Sequence, residues 1–264
     1  FLLALFLRVY QLGSFPVSVS WDEVAIGYNA YSISQTGKDE YGASYPMLFK
    51  SFNDFKLPGY IYLDSIFIRF LGLNEFSVRL PSALFGAAAI PIFFLITKSL
   101  LDSLEIGRSK ISKNTPVIAA ILLAISPWHI QFSRAAFEAN VALTILLLGI
   151  LLLIIGLKNK LAAYLSIPIL VISLYFYYSQ RLIVPLIIFG FFTSFATSLK
   201  DNLKAYLISL LIGSLIFIPI GLSFLKPEGV KRVSEVSVLK DQTIYSEAVF
   251  ANSQNDSLLT SIFL

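Results

Sequence analysis

Long apolar blocks alternate with short polar turns along most of the chain. The blocks fall at roughly 81–101, 116–128, 139–157, 161–178, 182–199 and 205–225. A helix needs about 20 mostly apolar residues to cross a bilayer. The pattern therefore predicts six membrane-spanning helices, the second so short that it borrows flanking residues. The chain opens inside another apolar run, Phe1 to Leu7, and closes inside one more, Leu258 to Leu264. The opening run reads as the end of a first spanning helix, and the chain as a fragment. No small-residue cleavage site follows it, which argues against a signal peptide. Segment 57–72 (LPGYIYLDSIFIRFLG) is apolar but short, and it carries Asp64 and Arg69. It is expected to lie along the membrane surface. The predicted fold class is all-α: a polytopic transmembrane helix bundle.

Composition agrees with this pattern. Hydrophobic residues make up 56% of 264 and charged residues 14%, where a soluble domain carries about 25% charged. Mean hydropathy is +0.77. The net charge of +4 reports topology rather than an acidic partner, and no nucleic-acid motif accompanies it. There is no cysteine, which excludes disulfides, thiolate metal sites and a cysteine nucleophile. One histidine, His129, excludes a zinc site built on histidines.

Lys and Arg in the short loops set an orientation. Arg108, Lys110 and Lys113 lie in one loop, Lys158 and Lys160 in the next but one, and Lys200 and Lys204 in a third. Basic loops stay in the cytoplasm. The alternate turns then lie outside, and so does the whole stretch from about Gly13 to Leu80. A short span at 57–72 would invert every later loop against this bias. A loop of about 65 residues is far longer than ordinary connections and is usually functional. It is rich in aromatics, including Trp21, Tyr28, Tyr41 and Phe52, which suit a lipid–water interface. The interface does not explain its acidic pair.

That pair sits in Ser20-Trp21-Asp22-Glu23, just after the first apolar run. Ser20 can cap a helix, and carboxylates in a first turn favour its dipole. Beside a membrane, however, an ionisable group is costly and usually functional. Adjacent residues point to different sides of a helix, so one carboxylate can face a cavity while the other is anchored. Glu138 starts a later apolar block, with Arg134 four residues before it. That spacing fits a structural pair as well as a site. Arg134 and Arg181 lie at outer helix ends, where a guanidinium can bind phosphate or snorkel to the interface. Arg79 reads as structural glue paired with Glu75 or Asp64.

The run RVYQLGSFPVSVSWDEVAIGYNAYSISQTGKDEYG resembles the first outer loop of the GT-C glycosyltransferases. It is most similar to the branch holding the protein O-mannosyltransferases and the lipid A aminoarabinose transferases (glycosyltransferase family 39). Phe55-Lys56-Leu57-Pro58 with Tyr60, the run from Leu71 to Ser82, Ser126-Pro127 with Ser133-Arg134 and Glu138, and Val230 to Ser234 resemble further family elements in the same order. The resemblance implies an inverting transfer of sugar from a polyprenyl-phosphate donor to a protein, lipid or polymer acceptor. It implies Asp22 as the catalytic carboxylate, with Glu23 orienting the site, and Lys56 as a phosphate contact. Arg134, Arg181, Lys231 and Arg232 are further phosphate candidates, and Glu138 a second acidic group of the pocket. Asp22, Asp54 and Glu138 are candidate ligands for a divalent cation, a hard ion suited to carboxylates. Some relatives carry a glutamate directly before the loop lysine; here that residue is Phe55, which weakens the case for a metal.

The expected organisation is a transmembrane catalytic module over 1–225, with the start of a further outer loop and a next helix over 226–264. A transporter would place charges or broken helices at mid-membrane, yet 139–157 and 161–178 carry no charged residue. An oligosaccharyl transferase-like enzyme is the other alternative. The expected location is the plasma membrane of a bacterium or archaeon, with the active site on the extracytoplasmic face and membrane lipids as partners.

Overall fold

The computed structural model describes residues 1–52, 54–103 and 110–226. The described residues form ten α-helices and one small hairpin, with short 3-10 turns between them. α1 is Leu2–Val9, α2 Trp21–Thr36, β1 Phe49–Ser51, β2 Asp54–Lys56, α3 Pro58–Leu71 and α4 Glu75–Ser103. α5 is Lys110–Ile125, α6 Pro127–Arg134, α7 Glu138–Gly156, α8 Lys160–Ile172, α9 Gln180–Ser194 and α10 Leu203–Phe224. Helices α4, α7 and α10 are long and apolar enough to cross a membrane. At 1.5 Å per residue, α7 is about 28 Å long, close to the hydrocarbon core of a bilayer. The all-α bundle expected from the apolar blocks is what forms.

Three departures from the expected spans have physical causes. The short second span is a bent pair: α5 and α6 meet at 53°, where Ser126 caps α6 and Pro127 takes its first position. Proline cannot donate to the preceding turn, so the helix breaks there. What reads as an outer loop near 128–138 is therefore largely helix. The blocks at 161–178 and 182–199 also yield shorter helices, α8 and α9. α8 passes into a single 3-10 turn, Ser173–Tyr175. The Tyr175 and Tyr178 hydroxyls leave the helix to donate to the carbonyls of Ile216 and Phe55. Hydropathy alone cannot see a tyrosine recruited by a distant backbone.

The core has two main apolar clusters. One joins α7, α8, α9 and α10 around Leu153, Ile167, Leu170 and Tyr206. The other lies at the end where α2 and α3 cap the bundle, around Ile26, Tyr60, Ile61 and Val141. Glycine permits the closest crossing: a Cβ at Gly86 of α4 would overlap the Ser133 hydroxyl of α6. Buried polar bonds stitch the same crossing. Asn140 donates to Ser82, and Arg8 of α1 donates to Ser133 and to the carbonyls of Ala4 and Ala124.

α3 packs its buried face, with Tyr60, Ile61, Asp64 and Ile68, against α2 and α4. Ile66, Phe70 and Leu71 remain exposed. An apolar outer stripe on a short helix is what an interfacial position requires. Asn74 and Ser77 then exchange side-chain-to-backbone hydrogen bonds and start α4.

Candidate active site

The site is built at the start of α2. Ser20 accepts from the Glu23 amide, and the Glu23 carboxylate accepts from the Ser20 amide, closing a capping box. This reciprocal pair satisfies two otherwise orphaned donors. It also turns Glu23 inward and Asp22 away from it. Glu23 is buried, whereas the Asp22 side chain is 56% exposed.

Arg79 of α4 supplies the counter-charge to Glu23. Its Nε donates to Glu23 Oε1 at 2.8 Å and its Nη2 to Oε2 at 3.3 Å. Its remaining donors reach the carbonyls of Leu12, Pro16 and Ser18. Glu23 Oε1 also accepts from the Ala136 amide, in the turn between α6 and α7. Burial pushes the Glu23 pKa up, but the bonds from Arg79, Ser20 and Ala136 outweigh it and hold it below its ordinary 4.5. One buried ion pair thus ties α2, α4, the α1–α2 linker and the α6–α7 turn together. The expectation that Arg79 pairs with Glu75 or Asp64 is corrected: its partner is Glu23, 56 residues away.

Lys56 arrives from the hairpin. β1 and β2 pair antiparallel with Phe49 opposite Lys56, which places Lys56 at the hairpin end nearest the bundle. Its side chain is 6% exposed, and Nζ lies 2.6 Å from Asp22 Oδ1. At the tip, Phe52 packs on Trp21, with ring centroids 5.4 Å apart. Asp22 and Lys56, 34 positions apart in sequence, are therefore in direct contact at the rim.

The other candidates are placed as follows. The Arg134 guanidinium donates to the carbonyls of Leu7, Arg8, Gln11 and Phe15. It thus caps α1 and fixes the turn that follows. Glu138 opens α7. It shares the electrostatic surroundings of the buried Tyr60 with Asp64 and Glu23. Arg181, at the start of α9, lies 4.4 Å from the Tyr178 ring centroid and 3.4 Å from that of Phe224. It stacks between rings instead of snorkelling outward. It lines one side of an apolar cavity of about 710 Å³ between α8, α9 and α10. The Tyr178 hydroxyl donates to Phe55, so one side chain links Arg181 to the neighbour of Lys56. Among the described residues no three of His, Asp and Glu gather into a metal-binding group. The set Asp22, Asp54 and Glu138 is not assembled, and Asp54 turns its carboxylate to the Phe55 amide. Lys231 and Arg232 lie outside the described residues.

A family model for dolichyl-phosphate-mannose-protein mannosyltransferases matches residues 1–154, which include Asp22, Glu23, Lys56, Arg79 and Glu138. The chain belongs to this mannosyltransferase family. It is also similar to the candidate mannosyltransferase YycA of Bacillus subtilis (strain 168), with 24% identity over 203 residues. That match takes in 70% of this chain and 28% of the relative, so the chain spans little more than a quarter of the relative's length. No solved structure matches it. Family membership together with the apolar helices makes this an integral membrane protein.

Asp64 is fully buried, and neither carboxylate oxygen has a hydrogen-bond partner. Burial pushes its pKa from 3.8 up to about 8. The folded state therefore holds a proton that the unfolded state releases at lower pH. The linked stability is fully present below about 3.8 and is lost as pH rises through about 8. Asp64→Asn is expected to melt higher than the parent at pH 8 and to flatten the decline between pH 5 and 8.5. Thermal melting in detergent across that range checks it; a parallel decline in both proteins would refute it.

Proposed function

We propose that residues 1–225 form the catalytic module of a membrane glycosyltransferase that takes a hexosyl or pentosyl group from a polyprenyl-phosphate donor. The acceptor sits on the extracytoplasmic face, and the anomeric carbon is inverted. The observation that carries this reading is the direct Asp22–Lys56 pair: an exposed carboxylate against a buried ammonium where the hairpin meets the start of α2. The family's description names mannose on dolichyl phosphate as donor and protein as acceptor, which supports a lipid-phosphate sugar here.

The chemistry follows from charge. An acceptor hydroxyl attacks the anomeric carbon from the side opposite the phosphate and gives its proton to the Asp22 carboxylate. The bond from that carbon to the phosphate oxygen breaks, and its electron pair leaves with polyprenyl phosphate. Lys56 meets this developing charge. In the absence of donor its ammonium rests on Asp22; arrival of the phosphate draws it away and frees the carboxylate for the hydroxyl. Arg181 offers a second cation, and the apolar cavity beside it suits the isoprenoid tail. Glu23 and Arg79 are positioning residues: they hold the α2 start and so the place of Asp22.

The test is transfer by the full-length protein in lipid vesicles, with radiolabelled polyprenyl-phosphate sugars as donors and hydroxyl-bearing peptides, glycolipids or wall polymers as acceptors. Label is expected on one acceptor class. Lys56→Gln is expected to weaken donor affinity by about 10- to 100-fold, the worth of one charge-assisted hydrogen bond. Failure of every donor to bind would remove the enzyme reading.

A further inference from the structure

The end of the bundle away from Asp22 carries a feature that sugar transfer does not use. α7 starts beside the Glu23-bound Ala136 and runs about 28 Å to Gly156. There the α7–α8 turn meets the segment before α10. Asn202 is buried and donates to the carbonyls of Gly156 and Leu157 at 3.0 and 3.1 Å. The Tyr206 hydroxyl donates to Leu153, and Asn159 caps α8 at the Ala162 amide. Gly156 allows this junction, because a Cβ there would meet Tyr206 and Ala163 below 3.0 Å. The two turns are thus one rigid platform. Between them lies a cavity of about 840 Å³, lined by Lys158, Lys160, Asp201 and Asn202. Lys200 and Lys204 flank it in sequence, and all four lysines are exposed.

We propose that this platform binds the headgroup of an anionic phospholipid. A general bias toward basic loops accounts for lysines at this end. It does not account for where they sit. Lys160 is the first residue of α8, Lys200 the first of the 3-10 turn Lys200–Asn202, and Lys204 the second of α10. Cations at helix starts oppose the helix dipole. Four cations against one carboxylate, Asp201, leave the platform complementary to an anion. Leu161, Leu203 and Leu207 are exposed around it, an apolar rim suited to acyl chains. A basic pocket between spanning helices with such a rim is how a protein holds an acidic lipid.

The test is native mass spectrometry of the full-length protein released from vesicles of equal phosphatidylglycerol and phosphatidylcholine. Phosphatidylglycerol is expected to be retained about tenfold in preference, a modest share of what several lysines contribute at an anionic surface. The variant K158Q/K160Q/K200Q/K204Q is expected to retain both lipids equally. Asp201→Asn, which leaves the lysines in place, is expected to raise the preference, and it carries the test if the fourfold variant does not fold. Equal retention by the parent, or a preference unchanged in the variants, would overturn the proposal. So would displacement of the lipid by millimolar inorganic phosphate, which would mean a simple phosphate site. Lipid retention needs no sugar donor, so this outcome is independent of the transfer assay.

Discussion

Asp22→Asn is expected to lower the rate of sugar transfer by about 10²- to 10⁴-fold, the usual worth of a positioned general base. The isosteric amide cannot take the acceptor's proton. It still offers an oxygen to Lys56, so the hairpin keeps its contact with α2. On the proposed reading the carboxylate also competes with donor phosphate for Lys56. Removing its charge leaves the lysine more available, and donor affinity should hold or improve. The expected signature is therefore a collapse of kcat without a rise in donor KM. A structural role would not give this split, because a displaced hairpin would weaken donor binding too. Steady-state transfer with varied donor concentration reads both quantities. A variant turning over at the parent rate would remove Asp22 from catalysis.

Breaking the Glu23–Arg79 pair is the largest expected effect on stability. Loss of one partner from a buried pair costs about 3–5 kcal/mol, because the other charge stays buried and uncompensated. That is a large part of an ordinary fold's 5–15 kcal/mol. Arg79→Met should therefore lower Tm strongly and release the α1–α2 linker carbonyls together with the α2 cap. The double change E23M/R79M removes both charges and should recover part of the loss. Thermal melting of the single and double variants forms the test; a double variant no better than the sum of the singles would count against the pair. The pH dependence runs opposite to that of Asp64. The folded Glu23 pKa lies below 4.5, so its stabilisation is full above that value. It is lost as pH falls through the lower folded value.

Local signals explain what was readable before folding was known. Ser20 and Glu23 are three residues apart, and a capping box needs only that spacing. The same arithmetic sends Asp22 to another side, so the division into one anchored carboxylate and one free to face a cavity could be read directly. Lys56 carried no local signal beyond its resemblance to a family element, since its contact with Asp22 depends on how a hairpin docks. Arg79 was misassigned for the same reason. Charged neighbours on its own and adjacent helices looked available, but the capping box had already turned Glu23 into its path. Asp64 looked like the mark of an exposed interfacial helix. Helix position alone cannot tell which stripe of α3 faces the bundle.

Apolar block lengths, the basic loops and the capping residue Ser20 determined a helical membrane bundle whose acidic pair follows its first apolar run. These depend on contacts within about four residues or on transfer to lipid, both of which are written into neighbouring positions. Tertiary structure decided the rest: which helices reach full span, that Arg134 clamps α1, that Arg181 stacks between rings, and that Lys56 reaches Asp22. Each of those depends on groups dozens of residues apart. In a dry interior a buried donor or charge takes whichever partner packing brings within reach, and chain order does not name that partner.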